Sequence, residues 1–182
     1  MYLETDNRDQ KNEIASVFRD VRAESGHTLL ELMDTSPVLL VFLRHFGCSF
    51  CRQALDDVSQ AHGALTERGI RPVFVHLGTP ERAKPYFDYY SLSHVERISN
   101  PDGSFYRNAI FALPRVSLLR VVMQPAVFKG WLQGAMLKHG IGMMREDASQ
   151  MPGVFFLRDR AIIRSFRHRT IADRPDYLRL VA

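Results

Sequence analysis

A strand-length apolar run followed by the chain's only two cysteines constrains the fold more than any other feature. Residues 38–43 are all apolar, and Cys48 and Cys51 follow them in a Cys-x-x-Cys motif. The run has the length of a buried strand, and a helix is predicted over residues 53–63. A strand, a Cys-x-x-Cys motif and a helix in this order are typical of thiol–disulfide chemistry. We therefore predict that the two cysteines form the reactive centre.

The predicted positions of the two thiols give them different roles. Cys48 would lie at the helix N-terminus, where free backbone N–H groups and the helix dipole stabilise a thiolate. Cys51 would lie one turn inside the helix, where the pair can meet the Cα separation of roughly 5.5 Å that a disulfide needs. The sequence thus predicts that Cys48 is the nucleophile and that Cys51 resolves its mixed disulfide.

Arg44 and His45, which precede the Cys-x-x-Cys motif, each have a functional and a structural interpretation. Arg44 should lie at the end of the strand, where its charge could favour the Cys48 thiolate or steer an anionic or peroxide substrate. A solvated arginine is the alternative. His45 could exchange protons with the thiols, but we expect an exposed loop histidine. With His62 it could complete a zinc site only in unusual geometry, so we predict no metal.

Composition and charge narrow the class of protein. The chain of 182 residues fits one domain, predicted to span residues 1–182. It has no apolar stretch of the roughly 18 residues that cross a membrane. Arginines concentrate in residues 158–169, but acidic residues lie among them and no nucleic-acid motif accompanies them, so we expect a solvated basic edge. The N-terminus resembles no secretory signal, which predicts a cytoplasmic protein whose cysteines are catalytic.

The first part of the chain is predicted to alternate helices and strands. Residues 1–10 are expected to be flexible, and a helix that begins at Lys11 is expected to give way to a short strand near Phe18, with a strand over 17–22 as the alternative. Thr28 and Glu31 have capping-box spacing and should begin a short helix over 29–33. Residues 71–77 form the next predicted strand, and Pro85 should kink or restart the helix that follows.

The second part contains a turn, an insertion and a hairpin. A strand is predicted over 95–99, followed by a turn at 100–103 and a helix that Ser104 caps and that runs to residue 110. A helical insertion is predicted over 114–150. A hairpin of strands 154–157 and 161–166 and a last helix over 175–181 follow it. The insertion carries an amphipathic stretch that would pack on the core. A contact in a homodimer or a wall of a substrate pocket is the alternative.

Several motifs together resemble a known family. Residues 42–52 read FLRHFGCSFCR, and further matches are residues 99–103 with Tyr106, the basic insertion around Trp131, residues 152–155, and residues 168–169 before 173–176. They are similar to the peroxiredoxin-like branch of the alkyl hydroperoxide reductase and thiol-specific antioxidant superfamily, which includes relatives of selenoprotein L. The resemblance covers roughly residue 28 to the C-terminus.

The resemblance implies an α/β, thioredoxin-like fold with a central mixed sheet flanked by helices. It also implies a cis Pro152 in the loop that faces the cysteines, with Met151 offering its backbone to an extended substrate. Conventional peroxiredoxins have Pro and Thr or Ser where this chain has Val41 and His45. Thioredoxins have a buried Asp where this chain has Phe42. Because the chain differs from both peroxiredoxins and thioredoxins, its redox potential does not follow from theirs.

The function expected from the sequence is a peroxiredoxin-like thiol–disulfide oxidoreductase that cycles a Cys48–Cys51 disulfide. A thiol-dependent peroxidase using the same cysteines is one alternative, and a non-enzymatic redox sensor or protein-interaction module is another. No nucleotide motif is present, so no cofactor is predicted. Electrons would come from a thiol reductant such as thioredoxin or glutathione.

Overall fold

The computed structural model describes residues 7–117, 138, 140 and 146–182. Along the chain the elements are α1 (Asn7–Asp20), α2 (Leu29–Thr35), β1 (Val38–Phe42), α3 (Ser49–Glu67), β2 (Arg71–His76), α4 (Pro80–Tyr89), β3 (Glu96–Ser99), α5 (Ser104–Arg107), β4 (Gly153–Arg158), β5 (Ala161–Arg167) and α6 (Tyr177–Leu180). None of the described helices is long and apolar enough to cross a bilayer.

The five strands form one mixed sheet in the order β3-β2-β1-β4-β5. Strands β1, β2 and β3 are parallel, whereas β4 runs antiparallel to β1 and β5 antiparallel to β4. The central strand β1 is buried along its whole length. Parallel strands need a crossover connection, which α3 and α4 supply. The predicted α/β architecture with a central mixed sheet is confirmed.

Alternate residues of β1 and β4 build two apolar cores, one on each face of the sheet. Leu39 and Val41 join the core that α3, α4 and α6 cover. Leu40 and Phe42 join the opposite core, beneath α1, α2 and α5. This division follows from the strand period of two, which sends neighbouring side chains to opposite faces. The run of residues 38–43 is apolar throughout because both faces are covered.

The N-terminal segment differs from the prediction. Helix α1 already includes residues 7–10, which were expected to be flexible, and it continues to Asp20 without a strand near Phe18. Ile14 and Phe18 are one turn apart and both buried, and Phe18 stacks on Phe111. This tertiary packing favours a continuous helix over the predicted short strand, because packing overrides local preference. Residues 1–6 lie outside the described part of the chain.

The next two helices were predicted with less regular ends. Helix α4 is continuous from Pro80 to Tyr89 across Pro85, so it does not restart there, and the predicted kink stays a prediction. Helix α5 ends at Arg107 instead of running to residue 110, because Asn108 leaves the helical conformation and its side chain accepts the N–H of Ile110 at 3.0 Å. Asparagine side chains compete with helical hydrogen bonds in this way. The capping box of Thr28 and Glu31 is confirmed at α2.

Most of the predicted insertion, residues 118–137, 139 and 141–145, lies outside the described residues. Its two ends are paired with each other. The N–H of Val116 donates to the Ser149 carbonyl at 2.8 Å, and Arg115 and Gln150 form an antiparallel bridge. The two described ends of the insertion therefore lie side by side, after α5 and directly before β4.

Candidate active site

The cysteine motif forms the beginning of helix α3. Cys48 is the N-cap residue, with an extended backbone (φ −83°, ψ 122°), and its carbonyl accepts the N–H of Arg52 at 3.1 Å. The helix begins at Ser49, ahead of the predicted start at residue 53. Cys48 therefore lies at the helix terminus and Cys51 within the first turn, as the sequence predicts. Unpaired N–H groups and the positive end of the helix dipole face the Cys48 sulfur.

The two thiols are free and almost fully enclosed. Cys48 is 7% exposed and Cys51 4% exposed, and no disulfide joins them. The pKa of Cys48 is lowered to about 6, mainly because the Cys51 thiol donates a hydrogen bond to it; burial opposes this effect, and the Arg44 charge supports it. The pKa of Cys51 is raised by that same hydrogen bond, by burial and by the nearby Cys48 charge. Near neutral pH the pair is thus one thiolate and one thiol.

Arg44 is buried beside the cysteines and is not a solvated side chain. Its Nη1 lies 3.8 Å from the Cys48 Sγ, its Nε donates to the Gln150 carbonyl at 2.9 Å, and its Nη2 donates to the Ala148 carbonyl. Among the described residues no carboxylate lies within 4.0 Å of this guanidinium. A buried cation needs an anionic partner or a full set of hydrogen bonds. The Cys48 thiolate is the anion that this arrangement provides.

The Met151–Pro152 segment lies at the site but not in the predicted form. The structure contains no cis peptide bond among its described residues, so the predicted cis bond at Pro152 is wrong. Only about 5% of X-Pro bonds in folded proteins are cis, and this bond follows the general preference. The Met151 N–H already donates to the Pro114 carbonyl at 3.0 Å, and its carbonyl accepts Gln150 Nε2 at 3.4 Å. The backbone of Met151 is therefore engaged within the protein.

A narrow cavity of about 20 Å³ borders Cys51. Its wall includes Cys51, Arg44 and Pro152, together with His168 from the segment after β5. This volume suffices for about one water molecule. Pro152, Arg44 and Cys51 are thus brought together, as predicted for the site. Arg167, the last residue of β5, donates to the Phe111 carbonyl at 2.9 Å and lies over the Phe155 ring.

Histidines near the site are buried and not exposed. His45 is 4% exposed, and its pKa is lowered to about 4 because burial disfavours its charged form and because Arg44 and Arg52 lie nearby. The expectation of an exposed loop histidine is wrong. His62, the other histidine considered for a zinc site, instead places its Nε2 3.2 Å from the Nε2 of His94. The described residues contain no group of three or more side chains that could hold a metal ion.

Two buried polar residues of the site were not identified from the sequence as functional. Gln150 is fully buried; its backbone carbonyl accepts the Arg44 Nε at 2.9 Å, and its side-chain Nε2 donates to the Leu113 carbonyl at 3.0 Å. Tyr106 is also fully buried, and its hydroxyl lies within reach of the Leu43 and Val75 carbonyls. The sequence singled out Tyr106 only as part of the family resemblance, together with the turn at residues 99–103, and assigned it no role. Nothing in the sequence distinguished Gln150.

Comparisons with solved structures agree with this architecture. A mutant of peroxiredoxin Q from Xanthomonas campestris superposes with a TM-score of 0.61 at 11% identity, over 87% of this chain and 86% of that one. The peroxidoxin BcpB from Mycobacterium tuberculosis gives a TM-score of 0.58 at 12% identity, over 84% and 82%. The fold is thioredoxin-like. A secreted M. tuberculosis disulfide oxidoreductase, described as homologous to E. coli DsbE, gives 0.51 at 16% identity, over 87% and 89%.

The thioredoxin-like fold is thus shared with a peroxiredoxin, a peroxidoxin and a disulfide oxidoreductase. At such identities the likeness concerns the fold. No protein-family model and no curated protein sequence matches the chain. The Cys48 and Cys51 pair fits the Cys-x-x-Cys arrangement at the start of the helix that follows the central strand. The arrangement of residues around Cys48 and Cys51 is therefore what indicates the chemistry.

Proposed function

We propose that the protein is a thiol–disulfide oxidoreductase in which Cys48 attacks a disulfide and Cys51 resolves the product. The observation that carries this proposal is the geometry of the two thiols: Cys48 is the N-cap of α3 with the Arg44 Nη1 3.8 Å from its Sγ, and Cys51 lies in the first turn of the same helix. The lowered pKa of Cys48 and the raised pKa of Cys51 agree with it. A thiolate is the nucleophile in thiol–disulfide exchange, and a thiol with a pKa near the ambient pH is the best attacking group. The buried guanidinium of Arg44 supports the thiolate.

The reaction balances without a cofactor. The Cys48 thiolate forms a mixed disulfide with one sulfur of the substrate and releases the other as a thiolate. The Cys51 thiol then gives up its proton, attacks the Cys48 sulfur and releases the second substrate thiol. The substrate disulfide is reduced to two thiols, and the protein is left with a Cys48–Cys51 disulfide. A thiol reductant such as thioredoxin or glutathione would regenerate the dithiol by the reverse exchange. The proposed location of this cycle is the cytoplasm.

Reaction of the reduced protein with glutathione disulfide tests this proposal. The wild type should end as an intramolecular disulfide with two glutathione thiols released. Cys51→Ser should stop at a stable mixed disulfide on Cys48, and Cys48→Ser should react far more slowly. If Cys48→Ser consumes glutathione disulfide as fast as the wild type does, the assignment of the nucleophile is refuted. If neither the wild type nor any variant reacts with small disulfides or insulin, the oxidoreductase proposal fails.

A thiol peroxidase is the second candidate, and the enclosure of Cys48 favours it. Only 7% of the residue is exposed, so a small oxidant has easier access than a folded protein disulfide. The Cys48 thiolate would attack one peroxide oxygen and become a sulfenic acid, the other oxygen leaving as water or an alcohol. Cys51 would then condense with the sulfenic acid and release water. Stopped-flow oxidation by hydrogen peroxide decides: a rate near that of a free thiol excludes this candidate.

A further inference from the structure

The peptide unit between Leu43 and Arg44 is hydrogen-bonded at both ends. Its carbonyl, which belongs to Leu43, accepts the hydroxyl of Tyr106. Its N–H, which belongs to Arg44, donates to the Cys51 Sγ at 3.3 Å. One amide group therefore connects a buried phenol directly to the sulfur of the resolving cysteine.

The direction of donation continues from the amide to the reactive thiolate. The Cys51 thiol, which accepts the Arg44 N–H, in turn donates to the sulfur of Cys48. Every donor from the Tyr106 hydroxyl to the Cys51 thiol thus points the same way, toward the negative charge. Hydrogen bonds in such a chain polarise one another and strengthen.

Tyr106 is built into the core as a donor of fixed position. Its side chain is fully buried, and its ring packs edge-on against Phe42 with centroids 4.9 Å apart. Burial raises the pKa of Tyr106 well above its usual value, and the nearby Cys51 raises it further, so the hydroxyl keeps its proton. The Val75 carbonyl, also within 3.0 Å of the hydroxyl, already accepts the Leu43 N–H at 2.8 Å. The Leu43 carbonyl has no such second donor among the described contacts.

We propose that Tyr106 is a positioning residue for the resolving thiol, because its hydroxyl orients and polarises the Leu43–Arg44 amide that donates to Cys51. This inference rests on the proposed two-thiol exchange. During resolution Cys51 becomes a thiolate inside the protein, and the amide N–H is the donor already in place to stabilise it. Hydrogen bonds to the ionised form of a group favour that form. The tyrosine therefore acts on the second step more than on the attack by Cys48.

Tyr106→Phe removes the hydroxyl and keeps the buried ring. The mixed disulfide of Cys48 with glutathione should form at nearly the wild-type rate but resolve more slowly. If Tyr106→Phe only weakens the polarisation of the Leu43–Arg44 amide, resolution should slow about twofold. If the Arg44 N–H also loses its hydrogen bond to the Cys51 thiolate, resolution should slow about tenfold or more. Acid-quenched mass spectrometry follows the mixed disulfide over time. Tyr86→Phe is the matched control, since no described hydrogen bond joins its hydroxyl to either thiol, and it should resolve like the wild type.

The pKa of Cys51 provides a readout that a merely structural role would not move. In the Cys48→Ser background, adding Tyr106→Phe should raise the pH at which Cys51 becomes reactive toward iodoacetamide. A more acidic fluorotyrosine at position 106 keeps the hydrogen bond and strengthens the donor, so it should lower that pH. This second variant preserves the packing if Tyr106→Phe folds poorly.

The outcomes separate this inference from the proposed function. If Tyr106→Phe and Tyr86→Phe resolve at equal rates, or if Tyr106→Phe slows both steps equally, the role of Tyr106 is refuted while the exchange reaction stands. If the wild type forms no mixed disulfide, the proposed function fails, and the iodoacetamide experiment still tests the hydrogen bond to Cys51. An unchanged pH dependence in both position-106 variants overturns the inference.

Discussion

Replacing Arg44 by methionine tests whether a buried cation maintains the Cys48 thiolate. Methionine has a similar length and no charge, so the change removes the Nη1 that lies 3.8 Å from the Cys48 Sγ. It also removes the donors to the Gln150 and Ala148 carbonyls. Arg44→Lys is the control, because it keeps a positive charge but loses the planar set of donors.

The size of the effect follows from the geometry. Opposite unit charges about 4 Å apart attract by about 4 kcal/mol at an effective dielectric constant of 20, which corresponds to roughly three pH units as an upper bound. The pKa of Cys48 falls from 9.0 to about 6, and the hydrogen bond from Cys51 contributes more than Arg44 does. We therefore expect Arg44→Met to raise the pKa of Cys48 by about one pH unit. At pH 7 the thiolate fraction would drop from about nine-tenths to about one-half.

Ultraviolet absorbance of the thiolate, measured against pH on the reduced protein, gives this pKa directly. Arg44→Lys should titrate close to the wild type, although both variants should lose stability because each buried carbonyl left without a donor costs about 1–3 kcal/mol. An Arg44→Met variant that titrates like the wild type would refute the electrostatic role of Arg44. The helix terminus and Cys51 would then account for the thiolate alone.

Three further predictions concern stability, each measured by urea unfolding. The unfolding free energy of the reduced protein should rise by about 1.4 kcal/mol per pH unit between about pH 6 and 8.5, because folding lowers the pKa of Cys48 to about 6. The same slope in Cys48→Ser would contradict this. Gln150→Ala should cost about 2 kcal/mol, since its Nε2 bonds the Leu113 carbonyl at 3.0 Å; a loss below about 0.5 kcal/mol would count against it. Gly103→Ala should cost about 1 kcal/mol because the residue has φ +66°, and Gly103→Asn should cost less.

The order of the elements and the place of the reactive pair could be predicted from the sequence because they depend on local signals. Continuous apolar runs indicated the buried strands, and the capping-box spacing of Thr28 and Glu31 located the start of α2. The hairpin of strands 154–157 and 161–166 was likewise predicted, and β4 and β5 pair antiparallel there. Errors occurred where local preference and packing disagree. A short strand was predicted near Phe18, but the packing of Phe18 against Phe111 keeps it in a helix.

The environment of the thiols could not be obtained in this way, because the groups that surround them are distant in sequence. Arg44 meets the Gln150 carbonyl across 106 positions, and Tyr106 meets the Leu43 carbonyl across 63. Burial of His45 likewise depends on segments brought together by the sheet. Hydrogen-bond partners and solvent exclusion set the direction in which the pKa of a thiol changes. Neither can be inferred from the residues next to the Cys-x-x-Cys motif.

The sequence by itself determined that two cysteines follow a buried strand at the start of a helix, and it predicted from this that the first of them is the nucleophile. Chain direction and helix geometry suffice for that, since the free N–H groups of a helix always lie at its N-terminus. The tertiary structure decided how the two thiols differ. It buries Arg44 beside Cys48 and holds the Leu43–Arg44 amide against Cys51. Because these contacts are enclosed from water, they act strongly on the two thiols, and the pKa of Cys48 is lowered while that of Cys51 is raised.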